Sequence, residues 1–277
     1  MNPELKLSFI GGGNMATALA AGLIGKRCAA QDVHVIDPTE AVLEQWREKG
    51  ATAAPAPGEQ LAACRVWVFA VKPQHLKTAA QACRPFLRPD TLVISIAAGI
   101  PSGTLARWLG EPGRPWQRLV RCMPNTPALV GAGITGLMAL PGVSEDDRAV
   151  AQQMLRAVGE TVWVDDDAAL DAVTALSGSG PAYVFLFLEA LLQGGKDLGL
   201  NGEQARKLAL ATLSGATQLA ALSPESPATL RERVTSKGGT TAAALAVFQQ
   251  RDFAGIVRQA MVAARDRAAE LARELDA

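Results

Sequence analysis

The sequence predicts an α/β protein: an N-terminal, doubly wound, mostly parallel sheet followed by an all-helical C-terminal domain. Short apolar runs alternate with helical patterns through the first half, as βαβ units require. A glycine-rich turn joins the first run to the first helix, and strand signals stop after "ETVWVDD".

The elements follow in order. "LKLSFI" is apolar and β-compatible, and a helix runs from Asn14 to Gly25. "VHVID" is a second strand before the polar, helical "TEAVLEQWREKG". "RVWVFAV" is a third, with a helix from Pro73 to Cys83; "TLVISIAAG" is a fourth, leading into "PSGTLARWL". "RLVRCMP" and "GITGLMAL" supply two more. Right-handed crossovers make the doubly wound arrangement the default. Helices are then expected over 168–177, 181–199, 202–222, 226–235 and 241–275. In the last, Phe253, Ile256, Val257, Ala260, Leu271 and Leu275 share one stripe. The boundary falls at 165/166, giving domains 1–165 and 166–277. Helix "YVFLFLEALL" is apolar nearly all round and demands burial, for which a second copy of the chain is the leading occupant and an internal core the alternative.

Composition narrows the function classes. At 277 residues two domains are expected. Lysine plus arginine balance aspartate plus glutamate at 27 each, so no nucleic-acid partner is expected. Cys28, Cys64, Cys83 and Cys122 are scattered, which argues against a disulfide framework or a metal site and for reduced thiols. The start shows no leader pattern, and the longest apolar run, broken by Glu189, is shorter than the ~20 residues of a membrane span. A soluble, cytoplasmic chain without a membrane partner is expected.

"FIGGGNMATAL" matches G-x-G-x-x-A as Gly11, Gly13 and Ala16, between a strand and a helix. Gly11 permits the tight turn, Gly13 lets backbone approach a pyrophosphate, and Ala16 keeps the helix close to the sheet. Ile10, Gly11, Gly12, Gly13, Asn14 and Met15 are the first candidate dinucleotide-binding residues. Asp37 ends the second strand, where a carboxylate accepts from a ribose 2′-hydroxyl and repels a 2′-phosphate; the alternative is a cap on the next helix. Taken alone it favours NADH, but NADPH or NADH both stay open as cofactor. Ligands of open α/β sheets bind beyond the carboxyl ends of strands. This adds Ala70, Val71, Lys72 and Pro73 after the third strand and Ala97 and Ala98 after the fourth. Lys72 faces a phosphate, the substrate, or solvent alone.

Two later stretches share a pattern. "ALSGSGPAYVF" places Ser177, Gly178, Gly180 and Pro181 at a helix entrance, and "TSKGGTTAAAL" places Ser236, Gly238, Gly239, Thr240 and Thr241 at another. Amides and hydroxyls at two helix starts would cradle a small carboxylate; ordinary N-capping is the alternative.

Taken together, "GGGNMA", "AVKPQ", "AAGI", "RCMPNTPA", "ALSGSGPAY" and "TSKGGTT" resemble the pyrroline-5-carboxylate reductase family, in order from about residue 5 to 270. The resemblance implies a Rossmann-type domain and a helical domain that forms dimers, often assembled into rings. It implies hydride transfer from a reduced nicotinamide to the imine carbon of 1-pyrroline-5-carboxylate, giving L-proline. By the same resemblance Thr241 bonds at the imine nitrogen, and Ser236 to Thr240 supply amides and hydroxyls to the carboxylate. Ser177, Gly178 and Gly180 line the opposite wall. Lys237 stands where many relatives carry proline, and Asp167 where some show a glutamate near the substrate. A protonated imine is already electrophilic, so positioning and one donor suffice, which accords with only two histidines, His34 and His75. The rival β-hydroxyacid dehydrogenases place a lysine on the helix after the glycine turn; here none occurs before Lys196. A nonenzymatic dinucleotide sensor would need the first glycine motif without the second.

Overall fold

The computed structural model describes residues 5–276, and within α12 no side chain beyond Glu274. Residues 1–4, part of the start in which no leader pattern was found, lie outside the described residues, as does the side chain of Leu275. Contacts divide the chain into two compact units: one runs to Ser179 and takes up the chain again from Ala264, the other is Gly180–Ala263. The change from strand to helix and the change of unit are thus different boundaries.

The first unit holds eight strands: β1 (Leu7–Ile10), β2 (Val33–Ile36), β3 (Thr52–Ala54), β4 (Val66–Phe69), β5 (Leu92–Ser95), β6 (Leu119–Met123), β7 (Gly133–Ala139) and β8 (Gly159–Trp163). Their order is β3-β2-β1-β4-β5-β6-β7-β8, parallel throughout except for β6 against β7. Register explains why the central strands read as continuous apolar runs. Val35, Phe9, Val68, Ile94 and Val120 align across one face, and Trp67, Val93 and Leu119 across the other. Both faces are covered, so both rows are buried. On the second face His34 and Ser8 extend the row toward β3, and His34 Nδ1 meets Thr52 Oγ1 at 2.8 Å. His34 is therefore a buried sheet residue.

Helices of this unit are α1 (Asn14–Leu23), α2 (Glu40–Glu48), α3 (Glu59–Ala62), α4 (Pro73–Cys83), α5 (Ser102–Leu109), α6 (Glu145–Leu155) and α7 (Asp167–Val173). Those beyond are α8 (Gly180–Asp197), α9 (Gly202–Leu222), α10 (Pro227–Arg233), α11 (Thr240–Gln250) and α12 (Phe253–Asp276). The last stretch of α12 packs with the sheet unit: Ala268 is buried, and a Cβ on Gly99 would meet Leu271 at 3.4 Å.

Two expectations need correction. The helix predicted over 241–275 is two helices, because Asp252 adopts a left-handed φ of 49°. Its carboxylate and carbonyl accept from Gly255 N and Ile256 N, which starts α12 afresh. The apolar run around "YVFLFLEALL" is also not short once folded. Thr174–Gly178 form a π-helical turn that joins α7 to α8, giving one helical run, Asp167–Asp197, long and apolar enough by length and composition to cross a membrane.

Candidate active site

The glycine turn sits at the carboxyl edge of β1, where the strand order reverses between β2 and β4 and a crevice opens. Gly11 has φ of 97°, and a Cβ there would lie 2.8 Å from the Ala70 carbonyl carbon and 2.9 Å from Val71 N. Only glycine fits that turn. Gly12 is buried, whereas Gly13 is exposed and a Cβ on it would meet nothing within 4 Å. Gly13 is the N-cap of α1 and offers no side-chain cap, so the first amides of the helix face open space. That arrangement, one glycine tight against β4 and one open above a helix start, fits a pyrophosphate.

Asp37 is held rather than free. Its Oδ2 accepts from Gly12 N and its Oδ1 from Thr39 N, each at 2.9 Å. It caps no helix, since Thr39 is the N-cap of α2 and α2 has no side-chain cap. Each oxygen keeps a lone pair for a further donor. Ala70 and Val71 lie beside Gly11, Pro73 begins α4, and Lys72 is exposed at its N-cap. Ala97 is buried and Ala98 half-buried after β5, with Ala97 N donating to Ser95 Oγ at 3.4 Å. Gly11, Gly12, Asp37, Ala70 and Val71 are thus brought together around the end of β1, while Lys72 and His75 are exposed.

Further along the sheet lies an ion-pair network absent from the sequence reading. Arg121, whose side chain is only 4% exposed, donates from Nη1 to Asp167 Oδ1 at 2.6 Å and from Nη2 to Asp171 Oδ1 at 3.4 Å. Asp167 also accepts from Ser102 Oγ at 2.8 Å and from Ser102 N. Ser102 opens α5 directly after the β5 loop, so the clamp fastens α7 to that loop. An arginine inside the apolar run "LVRCM" was the available signal, because a buried strand charge demands a partner. Asp167 is accordingly occupied by protein donors.

Ser177 and Gly178 lie in the π turn, a feature frequent at functional sites. Asn125 braces it: its Nδ2 donates to Ser177 O at 3.2 Å while its Oδ1 accepts from Ile134 N at 3.0 Å. Ser177 Oγ donates to Val173 O. The expectation of a free helix start here is not met, because Ser179 N donates to Thr174 O across the π turn and Gly180 continues the run.

In the second unit the "TSKGGTT" loop does present a free start. Gly239 N donates to Ser236 O, Gly238 takes φ of 73°, and Gly239 is the N-cap of α11 with no side-chain cap. By contrast Ser144, Asp166, Asn201 and Ser226 cap α6, α7, α9 and α10 with their side chains. N-capping by hydroxyls therefore does not account for Thr240 and Thr241, which lie inside the first turn. Ser236, Gly238 and Thr240 are exposed; Gly239 and Thr241 are half-buried. The thiols offer no chemistry: burial pushes Cys64 up to about 11 and Cys83 to about 12, and raises Cys28 and Cys122 as well.

A family model described as pyrroline-5-carboxylate reductase dimerisation matches residues 167–271. Another, described as NADP oxidoreductase, coenzyme F420-dependent, matches 6–99. The pyrroline-5-carboxylate reductase of Pseudomonas aeruginosa is 46% identical over 271 residues, 98% of this chain and 98% of its own. The chain belongs to the pyrroline-5-carboxylate reductase family. A solved pyrroline-5-carboxylate reductase from Coxiella burnetii matches with a TM-score of 0.88 at 36% identity, over 96% of this chain and 98% of that one. The pyrroline carboxylate reductase of Plasmodium falciparum, solved with NADP bound, matches with a TM-score of 0.85 at 29% identity, over 97% and 98%. The dimerisation region of the pyrroline-5-carboxylate reductase family begins at Asp167, the residue that Arg121 holds. The clamp thus fastens the first turn of that region to the sheet.

Proposed function

We propose that this chain reduces the C=N bond of 1-pyrroline-5-carboxylate to give L-proline, the last step of proline biosynthesis. The observation that carries the reading is the end-to-end identity of 46% to a relative bearing that name. NADH or NADPH, when bound, supplies the hydride. Ile10 to Met15, with Asp37, Ala70 to Pro73, Ala97 and Ala98, hold the dinucleotide, as the open start of α1 and the close fit of Gly11 to β4 support. Taken alone, the carboxylate of Asp37, fixed by two backbone donors, favours NADH by accepting from a ribose hydroxyl and repelling a 2′-phosphate, with NADPH kept open beside it as cofactor.

For the substrate, the uncapped amides of α11 and the hydroxyls of Ser236 and Thr240 hold the carboxylate, with Gly238 and Gly239 giving the turn its shape. Thr241 is the catalytic residue, its hydroxyl hydrogen-bonding at the imine nitrogen, which gains a lone pair able to accept from it as hydride reaches the imine carbon. Ser177, Gly178 and Gly180 contribute walls. No strong acid is needed, because the protonated imine is electrophilic before it binds. The division of labour follows: 1–165 binds dinucleotide, and 166–277 binds substrate and dimerises, with dimers or rings of dimers as the assembly. We place the protein in the cytoplasm.

The test is oxidation of NADH and NADPH, side by side, with and without pyrroline-5-carboxylate. Oxidation only with the imine is expected; a folded sample inert with both cofactors ends the assignment. Thr241→Ala should lower turnover about 100-fold with dinucleotide affinity unchanged.

A further inference from the structure

Gly12 is gripped at both of its polar backbone groups, which belong to the two peptides that flank it. Its N–H donates to Asp37 Oδ2 at 2.9 Å, and its carbonyl accepts from Trp46 Nε1 at 2.9 Å in a buried bond. Trp46 is itself locked: it is 1% exposed, stacks on Phe9 with ring centroids 5.8 Å apart, and is overlain by Lys49 Nζ at 5.1 Å. A Cβ on Gly12 would lie 2.7 Å from both Trp46 Nε1 and Val42 Cγ1. The middle glycine of the turn is thus packed against α2, and the fingerprint spacing does not account for that.

We propose that Trp46 is a positioning residue for the dinucleotide: by fixing the Gly12 carbonyl inward it fixes the planar trans peptide between Gly12 and Gly13, whose Gly13 N–H then points to the open side of the turn. That peptide cannot flip without breaking the buried bond from Trp46 Nε1, and the bond from Gly12 N–H to Asp37 holds the preceding peptide in the same way. The open amides at the start of α1 are therefore pre-organised, and binding spends little on ordering the loop. Asp37 takes a second role as the opposite jaw. The proposal rests on the dinucleotide reading of the glycine turn but not on the identity of the substrate.

Trp46→Phe keeps an aromatic ring beside Phe9 and removes the donor together with part of the buried ring volume, so the comparison is made on folded protein and read from dinucleotide binding rather than from stability. Titration calorimetry with NADH should show the dissociation constant rising about tenfold. KM for the dinucleotide should follow, while kcat at saturating dinucleotide and KM for the imine stay at wild-type values. A folded Trp46→Phe protein that binds NADH as tightly as the wild type overturns the proposal. Gly12→Ala, which drives Trp46 away, should weaken binding similarly, and the double variant should be no weaker than Gly12→Ala; additive losses count against the clamp. In the wild-type protein the Trp46 indole N–H resonance should shift when NADH is added, and this readout decides the matter if Trp46→Phe fails to fold. Wild-type protein that binds no dinucleotide takes both this inference and the proposed function down, whereas wild-type binding with an unaffected variant sinks the clamp alone.

Discussion

Asp167 and Asp171 share one guanidinium but stand in opposite energetic positions. Asp167 accepts from Arg121 at 2.6 Å and from two groups of Ser102, so its charge is well solvated by protein. Asp171 has a single 3.4 Å contact with Arg121, and burial raises its pKa above the ordinary carboxylate value, with Arg121 pulling it partly back and Asp167 adding a little repulsion. A folded pKa above the unfolded one means the native state binds the proton more tightly. The ionised carboxylate therefore costs stability at neutral pH, and the cost fades as pH falls toward the unfolded value of 3.8. Asp171→Asn should raise the melting temperature slightly at pH 7, with the gain vanishing in acid. Asp167→Asn should cost about 2 kcal/mol, because it leaves Arg121 buried with only the weaker partner. Arg121 Nε already lacks a hydrogen-bond partner. Thermal melts of both variants across pH check the pair, and equal losses at pH 7 would contradict the assignment.

At the scale of elements, the π turn between α7 and α8 depends on Asn125, which couples it to β7 through both ends of one amide. Asn125→Asp keeps the acceptor for Ile134 N and replaces the donor to Ser177 O with repulsion. It should raise KM for the imine about tenfold, with the NADH dissociation constant unchanged; an unaltered KM would remove the brace from the argument. This turn was not legible in the sequence, because an i→i+5 bond leaves no residue signature beyond "SGSGP". The glycine turn at β1 was legible because its residue types are dictated by close approach. Strand β3 was missed because "TAA" has no apolar run and is only partly buried. Helix α6 was missed although "SEDD" carries a cap and acidic first turn. The break at Asp252 was hidden because the apolar period continues across it. Capping shows the same divide: Asn201 and Ser226 are readable caps, whereas the bare start of α11 became meaningful only when Gly239 was seen to occupy the N-cap.

For the whole molecule, the decisive quantity is apolar surface that one chain leaves uncovered. Among the described hydrophobic residues of Gly180–Ala263, only Ala205 and Ala209 are buried. Phe185 is 58% exposed and Leu186 68%, and no residue of α8 or α11 is buried. A unit of that size ordinarily buries about 60% of its unfolded surface, so it needs another body to cover it. A bilayer is a poor candidate for the run Asp167–Asp197. Its first turns are tied to a buried sheet arginine, and its later part carries Glu189 in the middle. A second copy fits, as the dimerisation model over 167–271 implies, and obligate interfaces of this kind bury upwards of roughly 2,000 Å². Phe185→Glu should place an unpaired charge in that interface and cost several kcal/mol. Sedimentation of the wild type at micromolar concentration should show a dimer or larger, and the variant should sediment as monomer or fail to fold. A wild-type monomer with an intact melting transition would mean that α8 is stable in water on its own and needs no second copy to cover it.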